Sequence, residues 1–172
     1  MKWIGMGLLR HAALAATAVA AVGCYAQREM GFQGYKAYLA SQEGKANPLP
    51  QAFIDRAQAS YGSSLGSVHF YTGIDTINGK VVTIGRKIYY PNNLDLTLPL
   101  HIKSLLHELK HVDQYSAMGD LFFQKYADQA ITSSFGHDDM EYEAEAIAAS
   151  ESVFGILKLH CPRNVCREFV SK

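Results

Sequence analysis

Apolar residues in this chain recur at two spacings, and the points where the spacing changes mark out its elements. After Leu49-Pro50, the positions Phe53, Ile54, Ala57 and Tyr61 repeat at threes and fours and stop at Gly62, which predicts a helix opened by proline and closed by glycine. Residues 67–72 (SVHFYT) and 80–90 (KVVTIGRKIYY) are β-rich instead, and Asn78-Gly79 between them is a strong tight-turn signal. Gly85 inside the second stretch reads as a bend or a bulge. A small antiparallel sheet is the expectation. The helical period returns over 98–117, where Leu98, Ile102, Leu105, Leu106, Leu109 and Val112 form one apolar stripe and Pro99 suits the first turn. A further helix over 121–131 runs into Ser133-Ser134-Phe135-Gly136, and Asp139 is placed to cap a last helix over 141–159.

The first 26 residues stand outside this pattern. Lys2, Arg10 and His11 precede an unbroken Ala-rich run over 12–22, shorter than the roughly 20 residues a bilayer-spanning helix needs. This reads as a secretory signal peptide over 1–26, with a small-residue exit at Cys24-Tyr25-Ala26 and a periplasmic or secreted product. Ala21-Val22-Gly23-Cys24 also resembles a lipobox, with Ala where Leu is usual, so the alternative product is an envelope lipoprotein, held at the membrane only through a lipid on Cys24. Residues 27–48 form a polar, glycine-punctuated lead-in with one short helix near 35–40. The domain proper spans 49–160, and 161–172 is a tail. Cys161 and Cys166, five apart in an exported protein, predict a disulfide there.

Composition excludes two classes. Sixteen basic residues against sixteen acidic ones leave no surplus for neutralising phosphates, so nucleic acid is not the expected partner. With 48% hydrophobic residues the chain is too apolar for a disordered tail.

The chemistry lies on the strongest helix, in Leu105-Leu106-His107-Glu108-Leu109-Lys110-His111-Val112. Histidines at i and i+4 project from one face about one turn apart, so two imidazoles reach one metal ion, while the glutamate between them sits beside the remaining coordination position. Glu108 is then placed to take a proton from metal-activated water. About thirty residues on, Glu141-Tyr142-Glu143-Ala144-Glu145 opens the last helix, far enough along for the chain to reverse and pack against the first. Glu141 is the expected third ligand, because Glu145 lies one turn away on the same face and can hold a ligand histidine through its other ring nitrogen. His137 is a rival third ligand or an oxyanion-stabilising group, and Tyr142 and Tyr115 are further oxyanion candidates. His69 and His101 read as packing or surface groups, and His160 adjoins the disulfide.

With KIYY, LLHELKHVDQY and EYEAEA in view, the chain resembles the metallopeptidase domain, long classed as a domain of unknown function, that forms the core domain of extracellular contractile injection system proteins and occurs in many bacterial toxins. The likeness begins at Leu49-Pro50, passes through 67–72 and 84–90, and closes at Ala146, covering roughly a hundred residues. It implies His107 and His111 as zinc ligands and Glu108 as the catalytic acid/base. The closing Glu-x-x-x-Asp element of such gluzincin-like sites falls on Glu141 to Glu145, with Glu where Asp is usual.

These readings together predict an α+β, zincin-like fold with a short antiparallel sheet whose edge, residues 88–90, lies beside the zinc helix and receives an extended peptide. The expected activity is hydrolysis of peptide bonds in a peptide or protein substrate, with one zinc per chain. The alternative is a zinc-stabilised binding or structural module that keeps the site without using it. Glu108 argues against that alternative, because a structural zinc more often takes four protein ligands.

Overall fold

The computed structural model describes residues 31–132, 140–157, 159, 161, 166 and 169. The signal-peptide and lipobox readings therefore lie outside the described residues, as do His137, Asp139 and His160. The chain divides into two units, 1–41 and 42–172. In the first, residues 31–41 form a helix, α1, which carries Tyr35 and Tyr38 with their rings stacked 6.4 Å apart. The helix expected near 35–40 is thus present and longer.

The second unit runs β1 (Asn47–Pro48), α2 (Gln51–Ala57), β2 (His69–Thr72), β3 (Val82–Ile84), β4 (Lys87–Tyr90), α3 (Pro99–Met118), α4 (Leu121–Thr132) and α5 (Glu141–Leu157). Its class is mixed α+β, as expected. The α2 helix is short: Phe53 and Ala57, one turn apart, are its buried pair, and the chain continues as a single 3-10 turn over Gln58–Ser60.

The sheet order is β1-β2-β4-β3, and it is not purely antiparallel. β2 and β4 run parallel, with Phe70 beside Ile88 and Thr72 beside Tyr90. The tight turn falls at Gly85-Arg86, which joins β3 to β4 as a two-residue hairpin, and Gly85 has φ 61°, the left-handed conformation such a turn requires. Asn78-Gly79 lies in a separate 3-10 turn that leads the chain to the outer edge. From there the hairpin returns β4 into the gap beside β2. One consequence corrects the sequence expectation: residues 88–90 belong to an interior strand whose backbone groups face neighbours on both sides. The edge strands are β1 and β3, and β3 is the one in contact with α3.

Helix α3 is buried along most of its circumference, because layers meet it from several directions. Its Ile102, Leu105, Leu106, Leu109 and Val112 are fully buried in a core with Phe53, Ala57, Ile88, Tyr90, Val153 and Leu157. Tyr61 donates its hydroxyl to the Leu106 carbonyl at 2.8 Å, and Asp113 accepts the Gly62 and Ser63 N–H groups, which clamps the loop after α2 onto the helix. Cys161 and Cys166 form the expected disulfide. The segment is more than a tail: the Cys166 N–H donates to the Thr97 carbonyl at 2.7 Å, and the Phe169 ring meets Phe53 edge-on at 5.1 Å.

Candidate metal centre

Two helices build the site. On α3, His107 and His111 turn the same way, with their Nε2 atoms 3.1 Å apart. The principal partner of α3 is α5, whose buried residues Glu143, Ala146, Ser150, Val153 and Leu157 recur at three, four, three and four. Glu143 heads that stripe, so the packing that buries Val153 and Leu157 also drives its carboxylate inward, leaving the side chain 2% exposed. Its Oε2 lies 3.0 Å from His107 Nε2 and its Oε1 3.4 Å from His111 Nε2.

His107, His111 and Glu143 can therefore hold a metal ion, with one ligand atom from each and all within 4.8 Å of one another. The short separations fit the chemistry. A tetrahedral ion with bonds of about 2.0–2.1 Å keeps its ligand atoms about 3.3 Å apart. The 3.1 Å between the two Nε2 atoms and the 3.0 Å from His107 Nε2 to Glu143 Oε2 lie close to that value.

The structure brings Glu143, not Glu141, to the histidines. Two residues along a helix is a rotation of about 200°, so when Glu143 faces α3, Glu141 cannot. Glu141 instead accepts a bond from Gln129 Nε2 at 3.3 Å on the exposed side. Glu145 reaches no ligand histidine directly either. It accepts from Gln114 Nε2 at 2.8 Å and pairs with Lys110 at 2.7 Å, and Gln114 Oε1 in turn lies 2.7 Å from His111 Nδ1. The role expected of Glu145 is thus carried out at one remove.

That relay settles a tautomer. The Gln114 amide nitrogen faces two acceptors, the Glu145 carboxylate and the Tyr142 carbonyl, so its oxygen must be the atom presented to His111. In the neutral ring an oxygen there places the proton on Nδ1, which leaves the Nε2 lone pair directed at Glu143 and His107, where a metal would use it.

The electrostatics favour positive charge between these groups. Burial by itself lowers the pKa of His111, but the bond to Glu143, the charges of Glu108 and Glu143, and Gln114 outweigh it and raise the value. For Glu143 burial acts upward, yet its bonds to His107, His111 and Tyr126 and the charge of His111 hold the carboxyl far below the ordinary range. Glu145 is also lowered, chiefly by Lys110 and then Gln114.

Glu108 stands apart from the three donors. It is buried, and its Oε2 accepts the Thr83 hydroxyl at 2.6 Å, so the edge strand β3 holds it in place. Tyr126 of α4, which sequence reading did not single out, donates to Glu143 Oε1 at 2.5 Å. Burial and the Glu143 bond both raise its pKa, so the phenol keeps its proton. Of the oxyanion candidates, Tyr142 directs its hydroxyl to Met118 Sδ at 3.7 Å, and Tyr115 is buried against Phe122, with ring centroids 4.7 Å apart. Among the described residues, neither hydroxyl is hydrogen-bonded to the three donors. His69 lies on β2, and His101 Nδ1 accepts the Asp95 N–H at the start of α3. A groove of about 610 Å³ is lined by Lys110, Asp113 and Gln114 of α3 and by Tyr142 and Glu145 of α5, and so borders the relay behind His111.

Comparison of the chain with protein-family models, curated proteins and solved structures returns no match, so the functional reading rests on the site's own geometry.

Proposed function

We propose that this protein is an exported zinc metallopeptidase with a zincin-like arrangement. The observation that carries the reading is Glu108: a buried carboxylate beside the His107, His111 and Glu143 donor set, outside that set, and oriented by a donor of its own in Thr83. Two imidazoles and a carboxylate suit zinc, and three protein ligands leave a position for water or substrate. Zinc bound there would polarise a carbonyl and make water acidic enough to lose a proton near neutral pH. Glu108 accepts that proton and returns it to the leaving amine, while Thr83 keeps its carboxylate from rotating away.

The edge strand supports a peptide as substrate. Because Ile84 and Lys87 close a two-residue hairpin, they form a hydrogen-bonded pair, and the alternation along the ladder points the Thr83 N–H and C=O at the open edge. An extended peptide adding to β3 would bond to the same residue whose side chain holds Glu108. The resemblance of LLHELKHVDQY and EYEAEA to the injection-system metallopeptidase domain points the same way, with Glu143 taking the place of Glu141 as third ligand. Export is proposed on the basic residues and Ala-rich run of 1–26.

Glu108→Gln tests the mechanism. The variant should keep its metal and lose cleavage of a peptide library by the roughly 10²–10⁴-fold that a positioned base contributes. A variant that still cleaves at the unmodified rate contradicts the role of Glu108. An unmodified protein that binds zinc yet cleaves nothing is a binding module instead.

A further inference from the structure

We propose that Tyr126 is a positioning residue that limits Glu143 to a single ligating oxygen, and so keeps one coordination position free for water or substrate. The inference rests on the reading that His107, His111 and Glu143 hold a metal ion. A glutamate can bind a cation through one oxygen or clasp it with both, and the choice decides whether a three-residue site stays open. At Glu143 the two oxygens are not equivalent. Oε2 lies 3.0 Å from His107 Nε2, whereas Oε1 stands farther from its histidine, at 3.4 Å from His111 Nε2, and receives the Tyr126 hydroxyl at 2.5 Å.

A hydrogen bond from a neutral hydroxyl to a carboxylate is among the strong ones, and it draws away the electron density that Oε1 would offer a cation. The direction of the hydroxyl is also set by the packing of its ring. The Tyr126 ring stands edge-on to His111, with centroids 6.1 Å apart, and packs at 5.8 Å against Phe122, which itself contacts His111, Tyr115 and Tyr142. This aromatic cluster, drawn from α3, α4 and α5, therefore holds the ring so that the phenol meets Oε1. Removing the hydroxyl while keeping the ring would release Oε1 to join Oε2 on the metal.

Cobalt(II) spectroscopy reads coordination number without any catalytic assay, because four-coordinate cobalt(II) absorbs visible light more strongly than its five-coordinate form. The full chain loaded with cobalt(II) should show the strong bands of a four-coordinate ion. Tyr126→Phe should bind one cobalt(II) per chain with bands weakened several-fold. The double variant Tyr126→Phe/Glu143→Gln, whose amide offers only one oxygen, should regain the strong bands. A Tyr126→Phe spectrum that superimposes on the unmodified one overturns the inference while leaving the metal site intact, and so does a double variant whose bands stay weak. Failure of the unmodified chain to bind cobalt(II) or zinc contradicts the metal site itself.

Discussion

Thr83 on the edge strand donates its hydroxyl to the Glu108 carboxylate of α3 across 2.6 Å, joining the open side of the sheet to the acid of the His-Glu-x-x-His helix through one buried hydrogen bond. Thr83→Val keeps the β-branched shape and removes the donor, leaving a buried carboxylate short of a partner. That should cost about 1–3 kcal/mol of stability in urea denaturation. It should also lower peptide turnover without loss of metal. Thr83→Ser should recover most of both, and a fully active Thr83→Val would show that Glu108 does not depend on this bond.

The relay behind His111 makes a second prediction. Gln114 fixes the His111 tautomer while held by Glu145 and the Tyr142 carbonyl. Gln114→Leu fills similar space but leaves Nδ1 without an acceptor, and outer partners of this kind are typically worth about 10–100-fold in metal affinity. Competition against a chelator of known affinity measures this loss. Unchanged affinity would mean that packing alone orients the ring.

A third prediction concerns acid stability, away from the site. Glu43 accepts both its bonds to Lys87 at 2.8 Å and one from the Tyr89 hydroxyl at 2.6 Å. Burial pushes its pKa up, but these bonds and the Lys87 charge prevail and hold it below the ordinary value of 4.5. A carboxyl lowered on folding adds stability above its unfolded pKa, and that share is lost as the pH falls through the folded value. The denaturation midpoint should therefore decline as the pH drops below about 4.5. Glu43→Gln should be less stable at neutral pH and show a flatter decline in acid.

The helices of the second unit were legible because each carries a strong local signal. The Ile102-to-Val112 stripe and the proline at the start of α3 place that helix within a residue at each end, as Pro99–Met118. The sheet was less so. Composition marks β-rich stretches, but whether Gly85 bends a strand or ends it depends on how the chain crosses over to put β3 outside β4, a long-range matter that periodicity does not carry. The third ligand was readable and was missed. Glu143, Ala146, Ser150, Val153 and Leu157 keep the three-four spacing of a buried stripe, whereas pairing Glu141 with Glu145 by charge alone selects the outer face. Tyr126 and Thr83 carry no such signal. Their roles exist only once α4 and β3 have been brought against α3 and α5.

The central claim is that His107, His111 and Glu143 together hold one metal ion. Elemental analysis of the purified full chain, beside His107→Ala, Glu143→Ala and Glu141→Ala, tests it most directly. The account predicts one zinc per chain in the unmodified protein and in Glu141→Ala, with the metal lost or much weakened in the other two. Zinc that survives Glu143→Ala but not Glu141→Ala would contradict this geometry, and a folded protein that takes up no zinc would contradict the site altogether.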